Sequence, residues 1–265
     1  MKKYLIAFKL GFESSLEYRG DFFLSIFSGA FIIIIQCFIW NAVFASAGTT
    51  VVNGYTYPEM IAYSILAGIV NKIVSAGFQN EIAGDIKSGG LSKFIVQPIG
   101  YFYYRLFCFL GGKVPQLIVL FPLSFGVLAL THYTIGLEIS VERLPLFFSF
   151  AVLAMLLNFL IYYCLSALAF IMTEVWGIFI AASQAILMLG GGLFPLEVFG
   201  DTASQILSLL PFKYLIYYPV NIVTGRMPTG EILPNALIQV AWIFLLLLSR
   251  VCWQTGLKKY VAVGG

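Results

Sequence analysis

The stretch Phe22–Phe44, FFLSIFSGAFIIIIQCFIWNAVF, holds 23 residues and no charge. A helix of about 20 mostly apolar residues crosses a hydrocarbon core. It also satisfies its own backbone polar groups, as lipid requires. The stretch therefore predicts a transmembrane helix, and the rest of the chain is written in the same composition. Of 265 residues, 60% are hydrophobic and 10% charged, against about 45–50% apolar and about 25% charged in a soluble domain. The expected fold class is an all-α membrane protein, one transmembrane domain over residues 1–265.

Upstream, residues 1–21 predict an amphipathic interfacial helix. Leu5, Phe8, Phe12 and Leu16 recur at three- and four-residue steps, with Lys9, Glu13, Glu17 and Arg19 largely on other faces. Lys2 and Lys3 suit anionic headgroups. A cytosolic helix capping the first span is the plainer alternative. Lys9 and Glu13 break the run too early for a cleaved signal peptide. Downstream, a polar, glycine-containing loop over 46–58 precedes a second span, Glu59–Gly77, which carries Asn71 and Lys72. Residues 79–105 are too polar to span. Leu106–Leu130, with Lys113 near its start, is a third span. A loop with Glu138, Glu142 and Arg143 leads to a fourth, Leu146–Met172, long enough to tilt. Glu174 marks a short turn before the fifth, Val175–Leu193. Residues 194–231 are punctuated by Pro195, Gly200, Pro211, Pro219, Gly225 and Pro228, which predicts short re-entrant or interfacial outer helices where protein covers the backbone. Leu233–Leu248 is a sixth span, followed by Arg250, Lys258 and Lys259. No internal repeat is visible.

Lysine and arginine placement orients the spans. With the N-terminus inside, the inner side holds Lys2, Lys3, Lys9, Arg19, Lys87, Lys93, Arg105, Lys113, Arg250, Lys258 and Lys259, with Lys72 at the inner end of the second span. The outer side holds Arg143, Lys213 and Arg226. Six spans with both termini cytoplasmic is the reading this asymmetry favours.

Catalytic patterns are missing. His132 is the single histidine, and Cys37, Cys108, Cys164 and Cys252 sit in apolar stretches without metal-ligand spacing. No G-x-S-x-G elbow, intramembrane aspartate pair or phosphate-binding loop is present. The chain itself is expected to have no catalytic, cofactor or metal site, and nucleic acid is not an expected partner. Acidic groups at mid-membrane depth would mark an ion-coupled carrier, and the spans lack them. Lys72 and Lys113 lie near the inner surface, where a lysine snorkels to the interface or lines an inner vestibule.

Residues 79–105, NEIAGDIKSGGLSKFIVQPIGYFYYRL from Asn80, carry the most information. Glu81 and Asp85 are four apart on one helical face, with Ile82 and Ile86 on the next. Gly89 and Gly90 end that helix. Phe94–Pro98 leads into an aromatic interfacial element, Tyr101–Arg105. A short charged helix anchored by spans on both sides suits docking into a partner protein; a solvated connector is the bland reading. Outside, Gly190, Gly191 and Gly192 loosen the top of the fifth span and Pro195 stops it. Leu209, Leu210 and Phe212 with Tyr214, Tyr217 and Tyr218 read either as an interfacial aromatic belt or as a lid over a pathway.

This order of elements resembles the permease subunits of type-2 ABC exporters. Ile86-Lys87-Ser88-Gly89-Gly90-Leu91, followed by Gln97-Pro98, is similar to the I-[KR]-S-G-x-L … [RQ]-P signature of a bacterial subfamily. Leu210-Pro211-Phe212, Tyr218-Pro219 and Gly225 resemble its PF … Y-P … G segment. Where that subfamily often has an acidic residue after the first glycine, this chain has Gly90, which bears on local docking detail. The resemblance covers essentially the whole chain. It implies a permease subunit with an N-terminal elbow helix and a coupling helix, in the bacterial cytoplasmic membrane, paired with a second permease, identical or homologous. Two cytosolic ABC ATPase subunits, which carry the ATP and Mg, would dock around Glu81, Asp85, Ile86, Lys87, Ser88, Gly89 and Leu91. Gly192, Pro195, Pro211, Phe212, Tyr218 and Pro219 would form the outer re-entrant segment. The implied cargo is hydrophobic or amphipathic, in the range of drugs, antibiotics, peptides and lipid-like molecules. The competing readings are an ion-coupled secondary transporter and a non-transporting assembly or sensor protein.

Overall fold

The computed structural model describes residues 2–136, 141–172, 174–248, 250, 251 and 253. Glu138, Cys252, Lys258 and Lys259 lie outside the described residues. In chain order the elements are α1 (Lys2–Glu17), α2 (Arg19–Ala47), β1 (Val51–Val52), β2 (Tyr55–Thr56), α3 (Tyr57–Val74), α4 (Gln79–Lys87), α5 (Ser92–Val96), α6 (Tyr101–Ile135) and α7 (Leu144–Ser166). They continue with α8 (Trp176–Leu189), α9 (Asp201–Leu209), α10 (Tyr217–Val223) and α11 (Thr229–Leu247). Short 3-10 turns at Val141–Arg143, Ala167–Phe170, Leu196–Phe199 and Pro211–Tyr214 join some of them.

Among the described residues five helices are long and apolar enough to cross a membrane, and they lie in α2, α3, α6, α7 and α11. The protein is an integral membrane protein. The expected fifth span is shorter than its apolar run. α8 has 14 residues, about 21 Å at 1.5 Å each, against a hydrocarbon core of about 30 Å. Its last turn closes at Gly190, and Gly191 takes φ +79°, turning the chain away. Among the described residues, then, five helices have the length of a span and the expected fifth span is a shorter helix. A second correction concerns Tyr101–Arg105. These residues are the first turns of α6, which runs unbroken through Pro115 and Pro122 to Ile135.

α2, α6 and α8 run from the α4 end of the molecule toward the β1–β2 end, and α3, α7 and α11 run back. α3 and α7 form the centre: Leu66, Ala67, Val70 and Ile73 of α3 and Ala151, Ala154, Leu157 and Phe159 of α7 are essentially unexposed. α2 stands at the edge, packed mainly on α3. Its Phe27, Phe31 and Phe38 are about 70% exposed (70%, 67% and 71%), as lipid or another hydrophobic surface would require.

The loop after α2 contains a hairpin. Val51 pairs with Thr56 and Val52 with Tyr55. Asn53 and Gly54 both take positive φ, 49° and 76°, the two-residue primed turn that Asn-Gly favours. Thr56 then opens α3, its N–H donating to Glu59 Oε2 at 2.8 Å, the glutamate half of a capping box.

α1 lies along the start of α6 in close contact. A Cβ on Gly11 would fall 1.9 Å from Cys108 O, and one on Gly111 2.0 Å from Phe8 O. The pair of glycines lets the two backbones approach, as small residues do between membrane helices. Tyr4 stacks on Phe107 at 5.6 Å. Leu5, Ile6 and Leu16 remain exposed on the opposite side. The apolar stripe read from sequence thus divides between a packed face and an outward face.

Candidate functional site

The segment from α4 to the first turns of α6 is held by one buried cation. Arg105, 8% exposed, makes ion pairs with both Glu81 and Asp85 of α4. Its Nε donates to Tyr101 Oη at 3.0 Å, and Tyr101 Oη donates to Asp85 Oδ2 at 2.8 Å. The two carboxylates read as one helical face do share a face, and it is turned partly inward. The two pairs differ in weight. Asp85 is 16% exposed at its side chain and Glu81 65%, so only the Asp85 pair is shielded from solvent. Breaking a buried pair costs about 3–5 kcal/mol, whereas an exposed one contributes about 0–1 kcal/mol.

Burial sorts the expected docking residues. Ile86 and Leu91 are buried in the chain, with Gln79, Ile82 and Ala83, where α4 packs on α7 and the turn Ala167–Phe170. Gly89 takes φ +79° and ends α4, and the Leu91 N–H reaches back to Asp85 O at 3.2 Å. The outward face consists of Asn80, Glu81, Gly84, Lys87 and Ser88. Lys87 Nζ also donates to Glu174 Oε1 at 3.2 Å, tying this face to the turn before α8. Asn80 and Gly84 have no charge or bulk to mark them in the sequence; helical spacing from Lys87 and Ser88 is the signal that selects them.

At the opposite end the broken segment folds inward. Trp242, thirteen residues into α11, donates its indole N–H to Leu209 O at 3.0 Å, and Gln239 donates to Tyr214 O at 3.3 Å. At 1.5 Å per residue those partners sit about 15–20 Å along α11 from its start. From this low turn α10 climbs back between α3 and α7, bringing Arg226 to Gly54 O at 2.9 Å and Glu59 Oε2 at 3.0 Å. Pro211, Tyr218 and Pro219 are buried, as are Gly192 and Pro195, and Phe212 is partly buried. The tyrosines make no interfacial belt. Tyr214 and Tyr218 are fully buried and bond Ser208 O at 2.7 Å and Ile232 O at 2.6 Å. Tyr217 donates to Glu197 Oε1 at 2.6 Å. Tyr63 donates to Gly191 O at 2.7 Å, and Tyr217 N–H to Gly190 O at 2.8 Å. These bonds seat the segment on the glycine end of α8. The arrangement is a packed plug of short helices.

Lys113 does not snorkel. It is 5% exposed and donates to Lys72 O at 3.2 Å and Gln116 Oε1 at 3.2 Å. Pro115 and Pro122 lie nearby in the same helix. No group of three metal-ligating side chains converges among the described residues.

A family model described as ABC-2 family transporter protein matches residues 30–264. The chain belongs to the ABC-2 transporter family. The match starts inside α2, so it takes in every element that builds the α4 face and the plug and leaves out α1. The type-2 permease resemblance read from Ile86–Leu91 and Pro211–Gly225 agrees with it. No curated protein matches the chain.

Proposed function

We propose that this ABC-2 family protein is the permease subunit of an ATP-driven exporter in the bacterial cytoplasmic membrane, with both termini cytoplasmic. It supplies half of the pathway for a hydrophobic or amphipathic substrate. A second permease, identical or homologous, supplies the other half, and two cytosolic ABC ATPase subunits bind ATP and Mg. α4 is the coupling helix, α1 the elbow helix, and the segment from Phe194 to Glu231 a re-entrant plug at the outer end.

One observation carries the reading: α4 presents a free face while its other side is joined to α6 through Arg105. A push on Asn80, Gly84 and Ser88 therefore moves the base of a helix of 35 residues rather than bending a loop. Lysines and arginines gather at this end, as a cytoplasmic side requires. The exposed aromatic face of α2, with Phe27, Phe31 and Phe38, suits an apolar cargo.

Transport in proteoliposomes separates this from ion coupling. The chain together with its co-purifying ATPase should move a fluorescent amphipathic substrate only with ATP and Mg. Transport by the chain alone, driven by a proton or sodium gradient, would refute the proposal.

A further inference from the structure

A cavity of about 740 Å³ opens at the α4 end, bounded by α1, the start of α2, the end of α3, α4 and α6. Three cations line it, and they are in different states. Arg105 is spent on Glu81 and Asp85. Lys113 is buried, and its bonded partners are a carbonyl, an amide oxygen and Ser75 Oγ at 3.5 Å, all neutral. Lys72 lies half-buried beside it, its stem against α2 near Gly29. Neither lysine is within 4.0 Å of a carboxylate among the described residues, whose ion pairs involve other cations. The remaining acid on the lining, Asp21, sits on the exposed rim. A buried ammonium group without a counter-charge is costly; the three acceptors of Lys113 satisfy its donors but supply no negative charge.

The rest of the lining says what could supply that charge. Phe22, Phe78, Phe109 and Leu10 are apolar and share the cavity with Ser14. The volume far exceeds what a free inorganic anion needs, and α1, which forms one wall, turns an exposed apolar side outward through Leu5 and Leu16. We propose that this cavity is a binding site for the phosphate headgroup of an anionic lipid in the leaflet on the α4 side, with Lys113 and Lys72 as its cationic floor. The site is independent of the exporter reading: it needs the membrane but neither the ATPase nor a transported substrate.

Native mass spectrometry of the full chain, purified and stripped of lipid, tests it with three probes: short-chain phosphatidylglycerol, short-chain phosphatidylcholine and inorganic phosphate. Phosphatidylglycerol should bind, phosphatidylcholine should not, and inorganic phosphate at equal concentration should not displace the lipid. Lys113→Gln should weaken phosphatidylglycerol about tenfold, because one cation fewer faces the phosphate, while Lys113→Arg keeps most of the binding. Because Lys113 is buried, Ser14→Phe on the exposed α1 wall provides a second arm; it fills the mouth without entering the core and should also weaken binding. Binding unchanged in both Lys113→Gln and Ser14→Phe overturns the proposal. Equal binding of phosphatidylcholine overturns it as well. Full displacement by inorganic phosphate would make the site one for a soluble anion and overturn the lipid assignment.

Discussion

Arg105 ties α4 to α6: it is buried, and Glu81 and Asp85 both pair with it. Arg105→Gln leaves Asp85 without its counter-charge and should cost about 3 kcal/mol in thermal unfolding of the detergent-solubilised protein. Glu81→Gln removes an exposed partner and should cost less than about 1 kcal/mol. Equal losses in the two variants would show that the clamp does not have this hierarchy. A charge reversal at Glu81 or Asp85 therefore reports on the clamp before it reports on docking, and Gly84 or Ser88 is the better probe of the outward face. The sequence displays Glu81 and Asp85 as neighbours on a helix. It does not display Arg105 as their partner, 24 and 20 residues on, because that pairing exists only after Gly89 ends α4 and the chain reverses into α6. Lys113 was equally illegible: snorkelling and burial predict the same composition, and only the carbonyl of Lys72 decides between them.

At the scale of elements, the contact between α1 and α6 depends on what is absent. Gly11 and Gly111 leave no Cβ where the backbones touch, so Gly111→Leu should lift α1 from α6. Truncation of residues 2–17 removes the same contact. Both should lower the yield of membrane-inserted protein severalfold on quantitative immunoblots of membrane fractions, and insertion at parent levels would contradict the elbow role. The apolar period of α1 was plain in the sequence, but which apolar residues face α6 was not, since lipid and protein accept the same side chains. The spans show the same division. Phe22–Phe44 and Leu146–Met172 were legible because length and composition settle them. α8 was not, since its apolar run continues through Gly190–Gly192 after the helix has stopped. The hairpin is carried by Asn53-Gly54, a turn signal, but its strands of two residues are too short to show an alternating pattern. A reporter fused after Pro228 tests the plug. It should read non-cytoplasmic, because α10 returns to the β1–β2 end; a cytoplasmic reading would make the segment a full crossing.

The whole molecule has an expected sidedness and an expected partner. Single cysteines at Ser88 should label from the cytoplasm and at Gly54 or Thr229 from outside; the reverse pattern would invert the molecule. Membership of the transporter family rests on the match across residues 30–264, and the sequence carried it in short strings around Ser88 and Pro211. What those strings could not convey is that Ile86 and Leu91 are buried within the chain, so that α4 has only a narrow outward face. In the proposed transporter this face delivers force from an ATPase. A Cβ added at Gly84 meets nothing within 4 Å, so Gly84→Trp should fold and insert normally while obstructing the face. The most direct measurement is affinity purification of the full-length tagged chain from its native membranes, with and without Gly84→Trp, scored for a bound phosphate-loop ATPase. The parent chain should bring down the ATPase, and Gly84→Trp, inserted at the same level, should lose it. An ATPase retained at parent levels by Gly84→Trp, or none bound to the parent chain, would contradict that role.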